Sequence, residues 1–128
     1  MAILPNICNL HRKSFSMSSN NWEPIAKHQI ELRIEWTDDI LSLQPVLLNF
    51  WEYIKIRPEK WTEEKMGKEG DGFWVVAIIG KKVIYYNDIE EGFNLSEFTD
   101  YGKIDKYECG QSELHELIEY IFNSITKG

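Results

Sequence analysis

The run from Phe73 to Ile79 (Phe-Trp-Val-Val-Ala-Ile-Ile) constrains this chain more than any other feature. Seven consecutive apolar residues with no polar alternation suit a strand covered on both faces, too short for a membrane span. Gly80-Lys81 follows, and then a second β-rich run from Val83 to Tyr86. Two such runs joined by a glycine-containing turn predict a central antiparallel hairpin. A chain built on that hairpin must supply apolar cover for the sheet.

The cover is predicted at the C-terminus. Leu114, Leu117, Ile118, Ile121, Phe122 and Ile125 recur at helical spacing and form one stripe. Ser112 is the expected N-cap, with Glu113 and Glu116 in the first turns and Lys127 near the end. Further strands are predicted at Gln29–Trp36, from the alternation of Ile30, Leu32, Ile34 and Trp36 with charged residues, and at Phe50–Arg57, ended by Pro58. A last short strand is expected near Lys103–Cys109. Thr37-Asp38-Asp39 is expected to cap a short or kinked helix running to about Asn49, limited by Pro45. Residues 59–72, with Gly67, Gly70 and Gly72, suit a flexible connection. The sum is an α+β fold of two layers: a mostly antiparallel β-sheet with a C-terminal amphipathic helix packed on one face.

At 128 residues, 43% of them apolar, the chain has material for one packed core. Residues 1–21 lack periodicity and are expected to be a flexible leader outside a single domain over 22–128. Met17 is an alternative translation start. The formal charge is −7, and the leader carries Arg12 and Lys13 with no carboxylate, so the domain is more acidic than the whole. Such a surface repels phosphates and argues against direct nucleic-acid binding; it attracts basic protein surfaces. Cys8 and Cys109, with no CxxC pair, suit free thiols in a reducing cytosol. With no apolar run of spanning length and no signal-peptide pattern, the expected place is the cytoplasm.

Motifs that carry chemistry are weak. His115 and Glu119 share a helix face, but one imidazole and one carboxylate leave a metal short of ligands. Cys109 beside His115 lacks an orienting third group or an oxyanion hole. Setting Gly92 at the sixth position of a calcium loop puts Ile89 at the third, where it cannot ligate. No glycine pattern matches a phosphate-binding loop. The residues therefore suggest no cofactor, no metal and no enzyme activity.

The segment from Tyr85 to Asn94 is the best candidate contact. From Asp88 to Asp100 there are five carboxylates (Asp88, Glu90, Glu91, Glu97, Asp100) and no Lys or Arg, with Tyr85, Tyr86, Phe93 and Phe98 threaded through. Acids set attraction and encounter rate, and rings supply apolar anchors. Partner contacts are accordingly expected from Tyr86, Asp88, Glu90, Glu91, Phe93 and Asn94, provided the rings face out; the alternative is rings turned inward with acids that solvate the loop.

The stretch from Gly72 to Gly80, then Tyr85 to Asn94, Tyr101-Gly102 and Gln111-Ser112-Glu113-Leu114, resembles small bacterial immunity proteins of toxin–immunity systems, including contact-dependent growth inhibition. The resemblance spans roughly residues 50–120. It implies a cytoplasmic, non-enzymatic inhibitor that binds and neutralises a basic toxin domain, such as a nuclease. The alternative is a regulatory or scaffold domain that binds another bacterial protein.

Overall fold

The computed structural model describes residues 23–66 and 71–127; the predicted leader, Met17, Cys8 and residues 67–70 lie outside it. The element order is α1 (Lys27–Leu41), α2 (Pro45–Ile54), β1 (Lys55–Trp61), β2 (Phe73–Ile79), β3 (Lys82–Asn87), β4 (Gly92–Glu97) and α3 (Leu114–Lys127). The four strands form one antiparallel sheet in the order β1-β2-β3-β4, with the C-terminal helix α3 on one face. The α+β class, the central hairpin and that helix are as the sequence predicts.

The hairpin forms where the apolar runs place it. Ile79 pairs with Lys82, so Gly80 and Lys81 make the turn, and Gly80 takes a positive φ of 60°. Val75, Val76 and Ala77 are fully buried, because β2 has neighbours on both edges and cover on both faces. The helical side of the sheet is closed by Ile30, Leu41, Leu47, Trp51, Leu114 and Ile118, among others. On the opposite side Val75, Val83 and Tyr85 are buried with Trp61, Phe73 and Ile104, against Phe98 and Tyr107. That second cover comes largely from the irregular segment after β4.

The N-terminal half departs from the sequence reading. Gln29–Trp36 is not a strand; it lies within α1. The apolar positions 30, 32, 34 and 36 satisfy a period of two, but on a helix they split into two pairs four residues apart. Ile30 joins Thr37 and Leu41 on the buried face, with Ile34 packed beside them; Leu32 and Trp36 point away from the core. The intervening Glu and Arg residues favour a helix over a strand. Thr37-Asp38-Asp39 therefore falls inside α1 and caps nothing. Thr37 donates to the Arg33 carbonyl at 2.8 Å, which lets a buried hydroxyl sit in a helix.

Pro45 starts a helix. It occupies the first turn of α2, where its missing N–H has no helical partner to lose. Phe50–Ile54 is accordingly helical, and the strand predicted from Phe50 begins only at Lys55. Pro58 does not end that strand. It sits within the register irregularity between the Lys55–Ala77 and Glu59–Val75 pairs, on an edge strand that tolerates it. No named strand covers Lys103–Cys109; Lys103 makes an isolated parallel bridge to Thr62. The fourth strand is Gly92–Glu97, inside the segment read above as a contact loop. Ser112 bridges Phe93 instead of capping α3, and Glu116 accepts the Glu113 backbone N–H at 3.2 Å.

Candidate functional site

The segment Tyr85–Asn94 is the end of β3, a four-residue turn and the start of β4. Tyr86 and Phe93 are register partners whose rings tilt together at 4.8 Å, and each is only 3% exposed. Both belong to the core beneath the helices, with Arg33 of α1 stacked over Tyr86 at 4.8 Å. Both rings turn inward, the alternative left open by the sequence. A sheet residue next to a covering helix contributes more by filling the core than by waiting for a partner.

Asn94 and Glu90 are buried as well, at 7% and 4% exposure. Asn94 grips the backbone of Gly110 from both sides: its Oδ1 accepts the Gly110 N–H at 2.8 Å and its Nδ2 donates to the Gly110 carbonyl at 3.0 Å. Asn87 does similar work. Its Oδ1 accepts the N–H groups of Ile89 and Glu90, which folds the turn, and its Nδ2 donates to the Glu108 carbonyl at 2.9 Å. The Tyr85 hydroxyl accepts the Glu108 N–H at 2.6 Å, and Ser96 accepts that of Lys106 at 3.0 Å. The Glu90 carbonyl accepts the side chain of Gln111 at 3.0 Å. These side chains latch residues 106–111 onto the hairpin and replace a missing fifth strand. Gly92 completes the latch, since a Cβ there would fall 2.2 Å from the Gln111 Cα.

Asp88 is half-buried. Its Oδ2 accepts the Ile25 N–H at 2.8 Å, while Trp74 Nε1 donates to the Ile25 carbonyl at 3.0 Å. The approach to α1 is thereby pinned across the sheet. Burial raises the Asp88 carboxyl above the usual carboxylate range, opposed by its backbone hydrogen bonds and by Lys60. Burial likewise pushes the Tyr85 and Tyr86 phenols up, with Arg33 opposing the shift at Tyr86. Of the six residues expected to bind a partner, Glu91 alone is exposed. The acids of this stretch also find basic neighbours in space: Lys82 lies opposite Glu97 in the β3–β4 register, and Lys60 acts on Asp88.

The candidate chemical residues fare no better. Cys109 is disulfide-bonded, contrary to the free-thiol expectation, so it presents no nucleophile to His115. The His115 ring instead meets Trp36 edge-on at 5.8 Å. Among the described residues no group of three or more His, Cys, Asp and Glu side chains is placed to hold a metal ion. No described helix is long and apolar enough to cross a membrane.

What the sequence reading missed lies on the helices. Leu32 and Trp36 of α1 are 58% and 53% exposed, and Leu43, Val46 and Tyr53 are exposed on and before α2. Projecting residues 27–41 at 100° per residue separates Leu32 and Trp36 from the buried stripe, a signal hidden once the stretch is read as a strand. Comparison with known proteins finds no matching family model, no matching curated protein and no matching solved structure.

Proposed function

We propose that this chain is a non-enzymatic binding protein of the immunity type, which captures and neutralises a basic toxin domain. The observation that carries this reading is the outward surface of the helical layer. It exposes large apolar side chains that the core does not use, Leu32, Trp36, Leu43, Val46 and Tyr53, in a chain of net charge −7. Apolar groups within an acidic surface suit a protein partner, with charge guiding the encounter and burial of rings giving affinity. The resemblance of the hairpin region to immunity proteins supplies the toxin as partner. The acidic hairpin contributes Glu91 to the attraction; Tyr86, Phe93 and Asn94 serve by holding the fold.

The test is affinity capture from the native strain with the tagged full chain, followed by mass identification. The expected result is stoichiometric retention of a basic protein that rising salt releases and whose toxicity the chain suppresses on co-expression. Retention of a partner whose activity is unchanged by the chain contradicts the neutralising role.

A further inference from the structure

We propose that the outward face of α1 centred on Leu32 and Trp36 is the partner-binding surface, and that its occupant is a protein surface rich in Lys and Arg with an apolar recess for the indole. The assignment rests on the protein-binding reading above and gives it a location.

Leu32 and Trp36 are one helical turn apart and so share a face of α1. More than half of each is open to solvent, and neither belongs to the core beneath the helices. Trp36 is not loose: its ring rests edge-on against His115 of α3 at an interplanar angle of 77°. A large ring already held by a neighbour loses little freedom on binding, which is what an anchor needs.

The surroundings select the partner. Glu31, Glu35 and Asp39 of α1 are exposed, and so are Glu116 and Glu119 of α3, with Glu119 one turn beyond His115. None of these carboxylates joins a salt bridge among the described residues. Arg33 lies over the Tyr86 ring, and neither it nor Lys27, one turn before Glu31, forms a salt bridge with these acids. An acidic rim around an indole fits Lys or Arg side chains, which pair with the carboxylates and stack on the ring. It does not fit a second copy of this chain, because a two-fold contact would set this acidic face against the same acidic face. Nucleic acid is repelled for the same reason.

The test uses an unbiased displayed-peptide library, selected on the folded full chain, with affinities of individual synthetic winners measured by fluorescence polarisation. Winners are expected to carry Lys or Arg beside an apolar residue. Their affinity should fall at least about tenfold with Trp36→Ala. Leu32→Ser, or Glu35→Lys combined with Glu119→Lys, should weaken them in the same direction, while Tyr101→Ala, exposed beside Trp61 on the other side of the sheet, leaves them unchanged. All substituted side chains are exposed, and far-UV circular dichroism verifies each fold. Basic binders indifferent to Trp36, Leu32 and both glutamates overturn the surface but leave the protein-binding reading standing. Winners that are acidic or neutral overturn the partner chemistry, and a library yielding no binder counts against both. Dimerisation in sedimentation that Trp36→Ala abolishes assigns the face to a second copy instead.

Discussion

Replacing Asn94 with Ala separates a structural role for the hairpin from a binding role. Asn94 is nearly buried and holds Gly110 through two good hydrogen bonds, at 2.8 and 3.0 Å. Each contributes on the order of 1 kcal/mol net. Gly110 itself is exposed, so its released N–H and C=O reach water and the full penalty for a stranded polar group does not apply. The expected loss is therefore about 2 kcal/mol. For a domain of this size that lowers the melting temperature by roughly 6–12 °C. Urea unfolding followed by tryptophan fluorescence is the assay: the midpoint should fall while the slope stays constant, because the same surface is exposed on unfolding. Glu91→Ala, on the exposed tip of the same turn, should stay within about 0.5 kcal/mol of the parent. An Asn94→Ala midpoint indistinguishable from the parent refutes the latch.

Phe93→Ala should destabilise by about 3–5 kcal/mol, since the ring is buried against Tyr86; thermal unfolding measures it, and a near-neutral result places the ring outside the core. Asp88→Asn should hold or raise stability at neutral pH, because the amide oxygen still accepts the Ile25 N–H without a buried charge. The sign follows from the raised folded pKa: the favourable contribution of Asp88 is complete below the unfolded value and is lost as pH rises through the folded one, so the substitution should flatten that part of a stability–pH profile. Gly92→Ala forces a Cβ into the Gln111 backbone and should cost more than about 2 kcal/mol, with proteolysis between residues 106 and 111 as the local readout. Acid quenching followed by thiol labelling should find Cys109 blocked, as its disulfide requires, and a freely labelled Cys109 refutes the bond.

The parts of the fold legible in the sequence are those where one signal had a single structural meaning. The seven apolar residues of β2 and the Gly80-Lys81 turn suit little else, and the stripe on α3 fits a helix alone. Residues 30–36 failed because a period of two over so short a stretch also describes two faces of a helix; tertiary packing, which buries Ile30 with Thr37 and Leu41, decides between them. Pro45 and Pro58 mislead for a related reason. Each suggests a barrier, yet proline is at home in a first helical turn and on an edge strand. β4 was hidden by its own polarity. Asn94 and Ser96 are buried, but their partners are backbone groups of residues 106–110, far along the chain, and no local pattern announces them. The same contacts explain why the acidic, aromatic stretch looked like an interface. Its rings, amides and two of its acids are occupied by the fold, and only Glu91 at the turn and acids further along remain exposed.

The most direct measurement is the affinity of the captured partner for the parent chain, Trp36→Ala and Glu91→Ala, titrated calorimetrically at low and high salt. The account predicts a basic partner whose affinity falls with salt, drops at least about tenfold with Trp36→Ala and changes only modestly with Glu91→Ala. A partner that binds independently of salt and equally well to all three proteins contradicts it.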